Sequence, residues 1–195
     1  MNEPTPNIHD VIHTVFGGAF DESTGIRRRR VQQVEQDLRA YIHAEVDRYL
    51  TDDERTLLAA EREFAPDGAA CRVLDAEVLL SALTGFIAPP YLVSDLLLRR
   101  AQLNLAEALA GYVAYDVLRE YDSSCIRMDF QWALVRARNA LTRERRAQAA
   151  ERVLAKMSVQ DREHLERVMG RATDHPSSTG PEIEGRQSPI HPSFE

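Results

Sequence analysis

Apolar residues recur along this chain with the three-and-four spacing of helices, and almost nowhere with the alternation of strands. Ile8, Val11, Ile12, Val15 and Phe16 make one helical stripe, with Asn7 as its cap and Gly17-Gly18 as its expected end. A helix this short must dock its stripe on something larger. A loop is expected from Gly18 to Gly25, then a long helix from about Arg28 to Leu50 on Val31, Val34, Leu38, Ile42 and Val46. Thr51 and Glu54 have capping-box spacing and open a helix to about Phe64. Pro66-Asp67-Gly68 reads as a turn.

The pattern continues as one helix from Ala70 to Leu83, and Gly85 with Pro89-Pro90 reverses the chain. Behind Ser94 as cap, residues from Asp95 to Tyr121 are apolar on nearly every face, which predicts a central helix. Ala106, Ala110 and Ala114 form a small-residue ridge on it, a candidate seam for a homodimer. A thinner seam runs from about Met128 to Met157, and Ser158 with Asp161 opens a last helix to about Gly170. From Thr173 onward Pro, Ser and Gly dominate without periodicity. The expected architecture is therefore all-α: a docking helix and loop over residues 1–25, a bundle of six or seven helices over 26–172, and a disordered tail over 173–195.

Composition narrows the function classes. Arginine outnumbers lysine 23 to 1, which together with the abundant alanine reads as GC-rich bacterial coding. The formal charge of −7 opposes a general nucleic-acid binder. Charge is uneven, though: residues 127–156 carry seven Arg and Lys156 against Asp129, Glu144 and Glu151, a local +5. The longest uncharged stretch, Val78 to Ser94, is shorter than the ~20 residues of a membrane span and contains Pro89-Pro90. A soluble, cytoplasmic protein is expected, with Cys71 and Cys125 as two small buried thiols.

The usual chemical signatures are missing. A P-loop needs a Gly-Lys pair, and the one lysine is Lys156 in mid-helix. His9 and His13 have chelating spacing but lie opposite the apolar stripe, and Asp161-Arg-Glu-His164 has no second copy to complete a di-iron site. Asp52-Asp53-Glu54 fits the first turn of a helix, where the dipole favours carboxylates. No metal, cofactor or catalytic group is implied. Residues 105–119 are read as continuous helix and not as a DNA-reading pair, since Tyr112, Tyr115 and Asp116 would face the groove with no cation before Arg119. In the tail, Ile183-Glu-Gly-Arg186 has the form of a protease-cleavable linker, and a natural docking peptide anchored by Phe194 is an equal reading.

Three groups remain as candidates. Arg27, Arg28, Arg29 and Arg30 place four cations at a helix N-terminus, the end where positive charge is disfavoured. Arg138, Arg145 and Arg152 recur every seven residues, flanked by Arg136, Arg143 and Arg146. These serve either as a solvated face answering the acidic stretch 35–63, where nine carboxylates oppose four Arg, or as a surface for an acidic partner or nucleic acid. Arg100, Asn104 and Glu107 draw a polar line along the central helix, a candidate ligand stripe. The function expected is a non-enzymatic helical adaptor or regulator acting through protein contacts. The alternatives are a DNA-associated regulator and a bundle holding a small ligand.

Overall fold

The first helix, α1 (Ile8–Asp21), begins where local chemistry dictates: Asn7 Oδ1 accepts the Asp10 N–H at 2.9 Å. In this computed structural model residues 5–118, 124–158 and 160–161 are described. The helix does not stop at Gly17-Gly18 as expected, but runs on to Asp21, so the connection shrinks to residues 22–24. Two mid-helix glycines cost about 1 kcal/mol each relative to alanine. Phe16 in the core and Ala19 and Phe20 packed against it offset that cost, and the Arg28 guanidinium sits 3.7 Å over the Phe20 ring.

Helix α2 (Gly25–Glu45) follows, then a 3-10 turn at Val46–Tyr49. Helix α3 (Asp52–Phe64) carries the predicted capping box, with the Thr51 N–H donating to Glu54 Oε2 at 2.7 Å and the Glu54 N–H to Thr51 Oγ1 at 3.4 Å. Gly68, at φ +72°, supplies the left-handed residue of the predicted turn. The single helix expected over 70–83 is two, α4 (Ala69–Val73) and α5 (Ala76–Phe86). The chain is extended at Leu74, whose carbonyl accepts the Ile8 N–H at 2.9 Å, and Asp75 caps α5 through the N–H groups of Glu77 and Val78. The break thus ties the start of α1 to the start of α5.

The Pro89-Pro90 peptide is cis, and Asp95, one place after the expected Ser94, caps α6 (Leu96–Tyr112) at the N–H groups of Leu97 and Leu98. The central helix ends nine residues early: Val113–Val117 widen into a π turn closed by Leu118 N–H on Val113 O at 2.8 Å. The last helix described, α7 (Ser124–Lys156), starts earlier than predicted. Beyond it the Ser158–Asp161 cap forms, while the rest of that expected helix and the tail lie outside the described residues.

The architecture is all-α, with seven α-helices and no strand among the described residues. The chain divides into two compact units, residues 1–148 and 149–195. In the first, α6 packs on α1, α2 and α5 around Phe16, Leu38, Leu79, Leu83, Phe86 and Leu109. Ala106, Ala110 and Ala114 are buried in this same core. The expectation of a homodimer through that ridge is therefore withdrawn, because the close approach that small residues permit is used up inside one chain. Cys71 is buried as expected, and burial pushes its thiol pKa up against the opposing pull of Arg39 and Arg72; Cys125 is exposed, contrary to expectation. Among the described residues no helix is long and apolar enough to cross a membrane.

A tyrosine cluster locks α2 to α5 and to the loop after it. Tyr41 Oη donates to Ala82 O at 3.0 Å and accepts from Tyr49 Oη at 2.9 Å. The Tyr41 and Tyr91 rings meet edge to face at 4.6 Å, and Tyr91 Oη donates to Glu45 Oε1. Arg48 Nη1 lies 2.7 Å from the other Glu45 oxygen, an ion pair whose N–H is not lined up as a hydrogen bond. Gly85 is what lets the hydroxyls in, since a Cβ there would stand 2.2 Å from Tyr41 Oη and 2.6 Å from Tyr49 Oη. Gly85→Ala is expected to lower stability by about 2 kcal/mol, and Ala110→Leu by a similar amount, through overpacking. Thermal denaturation followed by circular dichroism checks this; an unchanged midpoint in either variant removes the packing role given to that position.

The same cluster sets an alkaline limit. Burial raises the Tyr41 pKa, and the hydrogen bond to the Glu45 carboxylate raises that of Tyr91. Above about pH 10 the unfolded chain ionises its tyrosines while the folded chain keeps these two protonated, so unfolding releases protons and stability falls as pH rises. Denaturant titrations at pH 8 and pH 11 should show a smaller alkaline loss in Tyr41→Phe than in the parent. Equal losses would exclude Tyr41 as a source of the pH dependence.

Candidate binding site on α2, α6 and α7

Two buried polar side chains on α6 position everything around them. Gln102 Nε2 donates to Phe86 O at 2.9 Å and Tyr91 O at 3.0 Å, and its Oε1 accepts the Val93 N–H at 3.2 Å. Arg99, 9% exposed, donates to Val93 O at 2.6 Å and Ser94 O at 3.3 Å and pairs with Glu144 on α7. Carbonyls that no helix can satisfy are thus answered by α6, and the same guanidinium holds α7 alongside. Sequence reasoning singled out neither residue. The available signal was their i, i+3 spacing, which puts two polar groups on one face of a helix read as apolar all round.

One turn further on, Arg138 of α7 clasps Glu107 with both nitrogens, Nη1 to Oε1 at 3.0 Å and Nη2 to Oε2, and Nη2 also reaches Asn104 Oδ1 at 3.2 Å. Two groups named separately in the sequence are therefore one network. Glu107 is engaged in helix pairing and lines neither of the clefts described next, so the three-residue ligand stripe reduces to Arg100 and Asn104.

Those two residues stand between two clefts. The larger, about 430 Å³, lies between the α1–α2 connection and α6, and is bordered by Arg27, Arg30, Arg100 and Asn104 with Glu22 at its edge. The smaller, about 270 Å³, lies between α6 and α7, and brings Arg138 and Arg145 to the same Arg100 and Asn104. Arginines from three distant stretches of sequence therefore border one strip. Arg27, Arg30, Arg100 and Arg145 form no ion pair among the described residues.

The remaining candidates are placed differently. Arg28 is stacked on Phe20, and Arg29, Arg136, Arg143 and Arg146 are exposed and line neither cleft. Arg152 is exposed and belongs to the second unit. The acidic stretch 35–63 is answered by neighbours and not by α7: Glu35, Glu45, Asp47, Asp52 and Glu61 pair with Arg39, Arg48, Arg62, Arg55 and Arg72 in turn. His9 and His13 are exposed with ring centroids 6.4 Å apart, and no three His, Cys, Asp or Glu among the described residues are grouped to hold a metal ion. No family model, curated protein or solved structure matches the chain.

Burial decides which ion pair matters for stability. Arg138 and Glu107 are 40% and 44% exposed, so a double-mutant cycle with Arg138→Ala and Glu107→Ala should yield a coupling of only about 0.5 kcal/mol. Arg99→Ala leaves loop carbonyls without donors and is expected to cost about 2 kcal/mol. Urea denaturation ranks the two; a larger loss for Arg138→Ala than for Arg99→Ala would overturn the anchoring role of Arg99.

Proposed function

We propose that the chain is a non-enzymatic helical adaptor or regulator whose contact surface for an acidic protein segment is the arginine-bordered strip of α2, α6 and α7. The observation that carries this reading is the sharing of Arg100 and Asn104 by both clefts, which joins Arg27 and Arg30 to Arg138 and Arg145. Guanidinium groups bind carboxylates through paired N–H donors, and isolated cations attract an acidic segment over distances of a Debye length. Apolar side chains are interleaved with the cations, Leu97 and Leu105 in one cleft and Leu103 and Leu141 in the other. That mixture suits a peptide with acidic and apolar residues better than a phosphodiester backbone. Glu22, Glu107 and Glu144 beside the strip, and a formal charge of −7, further disfavour nucleic acid.

A low-salt pull-down from the native host, with and without nuclease, tests the reading when the parent is run beside an Arg100→Gln/Arg145→Gln variant. A stoichiometric protein that survives nuclease, is lost in the variant and dissociates with added salt is the expected result. Partners that vanish with nuclease would transfer the function to DNA association. A protein partner retained by the variant would show that the strip is not its surface.

A further inference from the structure

The larger cleft differs from the rest of the strip in chemistry and shape. Its cations come from two elements that face one another: Arg27 and Arg30, one turn apart at the start of α2, and Arg100 on α6, with Asn104 one turn along. No carboxylate pairs with any of the three arginines among the described residues, and the first turn of α2 contains no acidic residue. Three arginines therefore line a cleft whose only acid is Glu22, and Arg27, in the first turn of α2, also opposes the helix dipole. The charged residues lining the cleft, three arginines against Glu22, leave an excess of about two positive charges. The floor is apolar, made by Ala19, Val31, Ala101 and Leu105, with Leu97 at 48% exposure on the rim. A volume of about 430 Å³ falls within the range of small-molecule sites.

We propose that this cleft binds a phosphate monoester carrying a compact apolar body. The phosphate bears about −1.5 to −2 charge at neutral pH and three acceptor oxygens, which matches the excess of two and the three forked donors. A carboxylate would leave one cation uncompensated, and inorganic phosphate would leave the apolar floor wet. Asn104 donates or accepts at the junction with the second cleft, where its Oδ1 is held by Arg138. The acidic-segment reading also uses Arg27, Arg30 and Arg100, but binding here does not rest on it, because the larger cleft alone supplies every group and neither Arg138 nor Arg145 is needed.

The test is calorimetric titration and thermal shift of the full chain with hexyl phosphate, inorganic phosphate, hexanoate and hexanol. Hexyl phosphate is expected to bind one to one and at least about tenfold more tightly than the other three. Arg30→Gln and Arg100→Gln should each weaken it about tenfold, while leaving the ligand-free melting midpoint unchanged or higher. Arg145→Gln, in the neighbouring cleft, should bind hexyl phosphate like the parent. Hexanoate binding as tightly as hexyl phosphate, full affinity in Arg30→Gln, or no binding at all would each overturn the proposal. Loss of affinity in Arg145→Gln would overturn the assignment to the larger cleft. An acidic partner lost in the Arg145 variant while hexyl phosphate still binds keeps the two readings separate.

Discussion

The Arg99 guanidinium is the interaction on which the surface chemistry depends. A charge that is nine-tenths buried is costly unless every donor finds an acceptor, and here the acceptors are backbone carbonyls of the segment after α5 and a carboxylate on α7. Gln102, one turn along, completes the same task for Phe86, Tyr91 and Val93. Arg99, through Glu144, ties α7 to α6, and the Arg138–Glu107 clasp ties it a second time. Only because α7 is held there do Arg138 and Arg145 come beside Arg100 and Asn104. A polar core contact thus sets the register of the cationic exterior.

What was legible in the sequence follows the range of each interaction. The Asn7 cap and the Thr51 capping box are local hydrogen bonds between residues three apart, and both form as read. The continuation of α1 through Gly17-Gly18 was illegible because Phe20 owes its place to the core and to Arg28 from the next helix. The break at Leu74 was hidden for a similar reason. Asp75 is equally acceptable on the wet face of a helix or as a cap, and the choice is made by Ile8, sixty-six positions earlier, donating to Leu74 O. Ahead of the π turn at Val113–Val117 the one residue that propensity singles out is Gly111, which by itself does not tell a π turn from continued helix.

The site shows the same division. The residue types were visible, since uncompensated arginines at a helix start and a polar line on an apolar helix are departures from the usual pattern. Their grouping was not. Spacing along α7 put Arg138, Arg145 and Arg152 in one set, whereas packing gives Arg138 to Glu107, lines the second cleft with Arg138 and Arg145, and leaves Arg152 in the second unit. The acidic stretch 35–63 was read as a counterpart for these cations, yet five of its nine carboxylates are taken by arginines nearby in sequence or on α4. Short-range pairing wins there because a few residues of separation impose little loop entropy.

The two cysteines carry a consequence of another kind. Cys125 is open to solvent, while Cys71 is enclosed by the core with its thiol held protonated. An alkylating dye meets the exposed sulfur directly and reaches the buried one only when α4 lifts from its neighbours. The protein therefore contains a handle and a clock. One sulfur accepts a fluorophore without mutagenesis, and the slow consumption of the other counts the openings of the interior.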